Sequence, residues 1–145
     1  MSIKLEHQTV ASCSPEQVWS VFSRLEEWPQ WSRLFARTAW MGEPWQLGSE
    51  IALDFSQPLL RVTGKVVECT PPRRFVIRGG AMGVNVEHWF DFQPQETGTL
   101  MRSGIDLSGP ATFFINKEMQ RKGLESFSQW FESLRAEAEQ NGPKT

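Results

Sequence analysis

Hydrophobic and polar residues alternate along most of the chain, which predicts strands that keep one side dry. In residues 3–11, one face carries Ile3, Leu5, His7 and Thr9. The same alternation predicts further strands, with a less regular one over residues 35–42. The others are residues 51–55, 59–67, 74–78, 84–92 and 101–107. Because short turns separate these segments, we expect an antiparallel meander with one solvated face and one covered face.

Helical patterns flank this region. Ser14 is a candidate N-cap, followed by Pro15 in the first turn and by Gln17, which can complete a capping box. A second short helix is predicted over residues 25–31, interrupted at Pro29. From about residue 111 to residue 140 the period becomes helical. Its apolar stripe consists of Met119, Gly123, Phe127, Trp130, Leu134 and Ala138. This long helix can cover the sheet, which predicts an α+β fold in a single domain over residues 1–145.

Composition narrows the classes of function. The formal charge of −2 and the pI near 5.7 argue against a nucleic-acid binder, which would show a concentrated basic face. No apolar run is long enough to cross a membrane, and the first residues have no apolar segment typical of a secretory signal. Two cysteines are too few for a disulfide framework, so we expect reduced thiols and a cytoplasmic location.

The order of these motifs resembles the START-like superfamily, also called Bet v 1-like or SRPBCC, and within it the polyketide cyclase/dehydrase-type group. The resemblance rests on residues 14–19, 28–31, 64–68, 71–73 and 90–92, with Gly98-Thr99 and the aromatic-rich last helix. It implies a helix-grip fold, in which a curved antiparallel sheet, two short helices after the first strand and a long C-terminal helix enclose a pocket. In this superfamily such a pocket holds a lipid, a polyketide, a sterol or another apolar molecule.

Candidate site residues come from the inward faces of the predicted strands and from the helices. The only two histidines, His7 and His88, and one serine, Ser103, are inward polar residues among apolar neighbours. The remaining predicted ligand contacts are apolar: Trp31, Trp40, Leu53, Phe55, Val62, Ile77, Phe90, Met101 and Met119. No Cys/His cluster has the spacing of a metal site, so no metal is predicted. Residues 79–83 are glycine-rich but lie between strands, which predicts a hairpin turn and not a phosphate loop.

Three functions remain open at this point. The first is a binding protein that takes up a hydrophobic small molecule, because the predicted wall has few polar groups. The second is a cofactor-free cyclase or dehydratase that uses His88 as its acid or base, with activity following the titration of a histidine. The third is a protein-interaction domain, for which Trp45 and Trp89 are the predicted surface residues. A homodimer formed through such a surface is also left open.

Two further expectations concern geometry. Pairing of Phe92 with Thr99 would set His88 opposite Ser103, and pairing of the first strand with the last would bring His7 to the other side of Ser103. The three would then form a polar row inside the pocket. We also expect Gly123 to face the sheet, where its missing side chain either allows close helix–sheet approach or leaves cavity space.

Overall fold

The computed structural model describes residues 2–56 and 59–141, and in these residues the chain forms one antiparallel sheet with three α-helices. The strands are β1 (Ile3–Ala11), β2 (Phe35–Trp40), β3 (Glu50–Ser56), β4 (Leu59–Thr70), β5 (Arg74–Ala81), β6 (Val84–Gln95) and β7 (Gly98–Ser108). The helices are α1 (Pro15–Phe22), α2 (Trp28–Trp31) and α3 (Lys117–Asn141). The seven strands follow the order β1-β7-β6-β5-β4-β3-β2. This arrangement confirms the α+β helix-grip fold.

The outer face of the sheet carries the charged residues that alternation places there. Arg61 on β4 binds Asp54 on β3 through two hydrogen bonds of 2.7 and 3.0 Å. Arg78 on β5 is similarly bound to Glu87 on β6, with a shortest separation of 2.8 Å. These pairs are exposed and contribute little stability each, but they keep one face of the sheet in water and direct the apolar residues to the other.

The β5–β6 hairpin is tighter than the sequence suggests. The predicted hairpin turn between these strands is confirmed, but its bounds of 79–83 are wrong, because β5 continues to Ala81 and only Met82 and Gly83 form the turn. Both turn residues have positive φ, 54° and 82°, as a type I′ hairpin requires. Gly79 instead belongs to the strand, where a Cβ would lie 2.1 Å from the Thr63 carbonyl oxygen.

The predicted register between β6 and β7 is also wrong, by two residues. Phe92 pairs with Met101, and His88 pairs with Ile105. The strands continue to Gln95 and Gly98, which pair directly, so the turn is shorter than expected. Because side chains alternate with a period of two, a shift of two residues keeps the same faces inward. The predicted pairing of His7 with Ser103 is confirmed.

The helix starts follow from their capping residues. The Ser14 hydroxyl accepts a hydrogen bond from the Gln17 amide at 3.2 Å, which confirms the N-cap. The Gln17 side chain does not close a capping box but donates to the Ala138 carbonyl at 2.7 Å, joining α1 to the end of α3. The predicted short helix over residues 25–31 is divided into a 3₁₀ helix, Leu25–Glu27, and α2, and Pro29 lies in the first turn of α2.

The C-terminal helix begins later than predicted. Residues 110–114 form a separate 3₁₀ helix, and α3 starts at Lys117, where the Asn116 side chain accepts a hydrogen bond from the Met119 amide at 2.8 Å. At the other end α3 reaches Asn141, the first residue of the predicted stop signal 141–143, whose last two residues lie outside the described residues. The shorter helix therefore covers less of the sheet than the sequence pattern implied.

The core lies under the second half of α3. Phe127, Trp130, Phe131, Leu134 and Ala138 are all buried against α1 and the inner face of the sheet. A network of hydrogen bonds at the edge fixes this half of the helix to β1. In it the Glu132 carboxylate accepts from the Thr9 hydroxyl and from the Arg135 guanidinium, both at 2.9 Å. The first half of α3 stands away from the sheet, and the space beneath it is the site described next.

Candidate ligand-binding cavity

A cavity of about 580 Å³ lies between the inner face of the sheet and the first half of α3. Its volume is within the range of roughly 300–1,000 Å³ that is typical of small-molecule sites. The sheet side of its wall consists of Leu5, Leu53, Phe55, Val62, Thr63, Gly64, Ile77, Gly79, Val86, His88, Ile105 and Leu107. The helix side consists of Ile115, Met119, Gln120, Lys122, Gly123, Ser126 and Phe127, with Leu34 and Phe35 below α2. The wall is predominantly apolar.

Three glycines border the cavity, two in its floor and one on the helix above it. Gly64 and Gly79 pair across β4 and β5 in its floor. Gly123 lies on α3 one turn from both Met119 and Phe127, and a Cβ built on it meets no atom within 4 Å. The expected close approach of helix and sheet at Gly123 is therefore wrong. The residue is exposed and borders the cavity, so the alternative, that this glycine leaves cavity space, stays a prediction.

Six of the predicted ligand-binding residues line this cavity. Leu53, Phe55, Val62, Ile77 and His88 contribute from four adjacent strands, and Met119 contributes from α3. Their inward direction follows from strand alternation alone. Their common position at one end of the sheet depends on where α3 packs closely against the sheet. Strand alternation gives no information on that.

The other six lie outside the cavity wall. Phe90, Met101 and Ser103 are fully buried beneath the closely packed half of α3, so the predicted polar row does not line the pocket. Trp31 packs on Trp130, with ring centroids 5.8 Å apart. The other two also have protein neighbours: Trp40 packs on Trp45 with centroids 5.0 Å apart, and the His7 ring meets Phe131 edge-on at 5.9 Å.

Several wall residues were not among the predicted ligand contacts, although strand alternation places them on the inward face. Val86, Ile105 and Leu107 belong to the inward sets of the last two long strands, and the structure places all three in the wall. Gln120, Lys122 and Ser126 add polar groups on the helix side. They flank the apolar stripe of α3, and a helix that stands off the sheet exposes its flanks to the space beneath it. The apolar pattern of the helix does not reveal these contacts, because the gap between α3 and the sheet results from tertiary packing.

His88 is the imidazole of the cavity wall. Its ring stacks on Phe90 with centroids 4.2 Å apart and meets Phe127 in a T-shaped contact at 4.6 Å. Its Nε2 atom lies 3.3 Å from the Ser103 hydroxyl oxygen. The Ser103 hydroxyl also donates to the Trp89 carbonyl at 2.8 Å. Two aromatic rings and one hydroxyl thus hold the imidazole in a single orientation.

Burial lowers the pKa of His88 from its ordinary value of 6.5 to about 3, because the apolar surroundings disfavour the charged ring. The ring is half-buried, since one edge borders the cavity, but the groups packed against it are all uncharged. At neutral pH the imidazole therefore has one N–H donor and one bare acceptor nitrogen. It offers a ligand a hydrogen bond and not a charge.

Comparison with known proteins assigns the chain. The family described as "Polyketide cyclase / dehydrase and lipid transport" matches residues 2–139. The chain belongs to this family. The family assignment made from the sequence is thereby confirmed. A comparison with curated protein sequences gave no match.

Solved structures share the fold of this polyketide cyclase/dehydrase family member at low sequence identity. One domain-sized half of the di-domain ARO/CYC StfQ from the steffimycin biosynthetic pathway is similar, with a TM-score of 0.80 and 13% identity over 96% of this chain and 51% of StfQ. Ara h 8.0201 has a TM-score of 0.77 and 10% identity over 97% of this chain and 100% of its own. A START superfamily protein from Mycobacterium smegmatis has a TM-score of 0.72 and 16% identity, covering 92% and 97%.

Other features of this family member lie apart from the cavity wall. Within residues 2–56 and 59–141, no group of three or more His, Cys, Asp or Glu residues is placed to hold a metal ion. Among the same residues no helix is long and apolar enough to cross a membrane. Burial raises the pKa of both thiols, Cys13 and Cys69, which makes them weak nucleophiles. A smaller depression of about 130 Å³ on the outer face is bordered by the Arg61–Asp54 pair.

The exposed apolar residues are not the two tryptophans expected for an interaction surface. Trp45 is partly buried and packs against the core cluster, and its Nε1 donates to the Ser23 carbonyl at 3.1 Å. Trp89 is on the outer face as predicted, but it is half-buried, with the Arg74 and Arg102 guanidinium groups over its ring at 5.6 and 5.7 Å. Among the side chains that the structure describes, the most exposed large apolar ones are instead Met82, Phe113 and Phe114, at 81%, 83% and 79%.

Proposed function

We propose that this protein binds an uncharged apolar or aromatic small molecule in the cavity beneath α3. The observation that carries the proposal is the cavity of about 580 Å³ with its mainly apolar wall. A ligand that buries about 200 Å² of apolar surface gains roughly 5 kcal/mol from its removal from water, before the entropic cost of binding. Membership of a family that includes lipid-transport proteins supports the same function.

Gly123 provides the sharpest test, because a side chain added there enters open space instead of displacing the core. The Gly123→Phe variant should fold with at least the stability of the natural protein, since glycine inside a helix costs up to about 1 kcal/mol relative to alanine. Its ring should occupy part of the cavity. We expect it to bind N-phenyl-1-naphthylamine, an uncharged fluorophore that brightens in apolar surroundings, at least tenfold more weakly than the natural protein.

The matched control is Gly123→Ala, which also removes the helical cost of glycine but fills little of the cavity. It should retain fluorophore binding. Equal affinity of the natural protein and the Gly123→Phe variant would place the fluorophore elsewhere and overturn the proposal. Failure of the natural protein to bind this fluorophore and a panel of other uncharged aromatic compounds would do the same.

A cyclase or dehydratase is the second candidate, and the presence of His88 in the cavity wall favours it. With its pKa lowered to about 3, the ring cannot serve as an imidazolium acid at neutral pH, and its activity would not follow an ordinary histidine titration. Its role would be to accept a hydrogen bond from an enol or hydroxyl of the substrate. Cyclisation of a poly-β-ketone thioester should then be accelerated by the natural protein and not by His88→Phe, which has no acceptor, while equal rates would remove this candidate.

A further inference from the structure

We propose that the cavity selects ligands that present a hydrogen-bond donor, a phenolic or alcoholic hydroxyl, to the Nδ1 atom of His88. This inference rests on the proposed binding function and names the chemical class of its ligand. It predicts discrimination between molecules of nearly the same shape and hydrophobicity. A hydroxyl compound is accepted, and its methyl ether, which can only accept hydrogen bonds, is disfavoured.

The first step is the position of one proton. The Ser103 hydroxyl has a single hydrogen, which it donates to the Trp89 carbonyl at 2.8 Å. Ser103 is fully buried, with 0% of its surface exposed, so that water does not offer it another acceptor. The contact of 3.3 Å between the Ser103 oxygen and His88 Nε2 must then be donated by the imidazole. His88 is therefore the tautomer that carries its proton on Nε2.

The second step concerns the other ring nitrogen. With the proton on Nε2, Nδ1 carries a lone pair and no hydrogen. No hydrogen bond joins Nδ1 to any residue in the described part of the chain, and the imidazole borders the cavity. The ring cannot turn to hide this nitrogen, because it is stacked on Phe90 and held at its edge by Phe127.

The third step is the cost of leaving the lone pair unmatched. A buried acceptor that loses water and gains no donor carries a penalty, whereas a donor from the ligand removes it. Next to His88 the sheet side of the wall is apolar, with Ile77 and Ile105 across the strands and Val86 along its own strand. An ether or ketone oxygen at this position would face the lone pair directly. On the sheet side of the wall, selectivity thus comes from this one nitrogen atom.

The experiment compares three ligands of one skeleton: 2-naphthol, 2-methoxynaphthalene and naphthalene. In the natural protein the ratio of the ether's dissociation constant to the naphthol's should exceed the same ratio in His88→Phe by about two- to tenfold, the worth of one buried hydrogen bond. Naphthalene, which cannot form this hydrogen bond, reports any general change in affinity that the altered wall of the variant causes. Equal ratios in the two proteins would overturn the inference while leaving the proposed function intact. Failure of the natural protein to bind any of the three compounds would instead count against the proposed function itself.

A second arm tests the tautomer without relying on a variant of His88. Nitrogen-15 spectra of the unliganded protein at neutral pH should show a protonated Nε2 and a bare Nδ1 for the His88 ring. A proton on Nδ1 would contradict the inference. Ser103→Ala removes the acceptor that fixes the tautomer, so its preference for 2-naphthol over the ether should fall toward that of His88→Phe. An unchanged preference in Ser103→Ala would show that Ser103 does not set the selectivity.

Discussion

The neutral His88 ring should make the stability of this protein fall in mildly acidic solution. Burial lowers the pKa of His88 to about 3 in the folded chain, whereas a histidine in an unfolded chain titrates near 6.5. Between these values the unfolded state binds a proton that the folded state refuses, so stability is fully present above about pH 6.5 and is lost as the pH falls toward 3. Integration from pH 7 to pH 5 gives a loss of about 2 kcal/mol from this one group.

The surroundings of the ring support this sign. Phe90, Phe127 and Ser103, which pack against it, carry no charge, and Lys122, the cationic residue of the cavity wall, would further disfavour a second positive charge. No carboxylate is among the wall residues that the structure describes. A protonated His88 ring therefore has no counter-ion in the cavity wall, and nothing there offsets the cost of removing its charge from water.

The assay is urea unfolding of the natural protein and of His88→Gln at pH 7, 6 and 5. The amide can still donate to Ser103 but does not titrate, and all other ionisable groups, His7 included, are the same in both proteins. The stability difference between them should shift by about 2 kcal/mol against the natural protein from pH 7 to pH 5. If that difference stays constant over the interval, the ring is solvated or paired in the folded state and the reasoning fails.

Two further predictions concern the fold. Ser14→Ala removes the N-cap that accepts from the Gln17 amide and should cost about 1 kcal/mol of stability by thermal or urea unfolding; an unchanged midpoint would mean that the Gln17 side chain alone holds the start of α1. Gly104→Ala places a Cβ 2.5 Å from the Trp89 indole and should cost about 1–3 kcal/mol. Gly42→Ala, whose Cβ approaches only the Ser49 hydroxyl at 3.9 Å, is its control and should be near neutral. Similar losses in both would show that Trp89 does not constrain that position.

Local patterns predicted the strands and their faces because each strand has one wet side. The exact bounds of β1 and the N-cap at Ser14 follow from alternation and from a capping residue, which act over a few neighbours. The turns are harder to predict from the sequence than the strands. The Met82-Gly83 hairpin uses positive φ at a methionine, and the glycine at 79 serves strand approach instead of the turn. A sequence shows that a glycine is present but not which of these two constraints requires it.

The candidate site was predictable in direction but not in place. Alternation identified Ile77 and His88 as inward residues, and both line the cavity. It identified Phe90 and Ser103 equally well, and both are sealed in the core. Ile77 and His88 differ from Phe90 and Ser103 because α3 stands away from the end of the sheet where the first two residues lie. This separation of helix and sheet depends on the combined volumes of residues from several elements, including Gly123. Periodicity along the sequence carries no information on such combined volumes.

The central claim, an internal apolar site beneath α3, is tested most directly by methyl spectra recorded during titration with N-phenyl-1-naphthylamine. Binding in the cavity should shift the methyl resonances of Val86, Ile105 and Leu107, which line it. The methyls of Val10 and Leu47, which are exposed and lie outside the wall, should stay in place. Shifts confined to the first group are the predicted result. Shifts confined to the second group, or none at saturating fluorophore, would contradict the account.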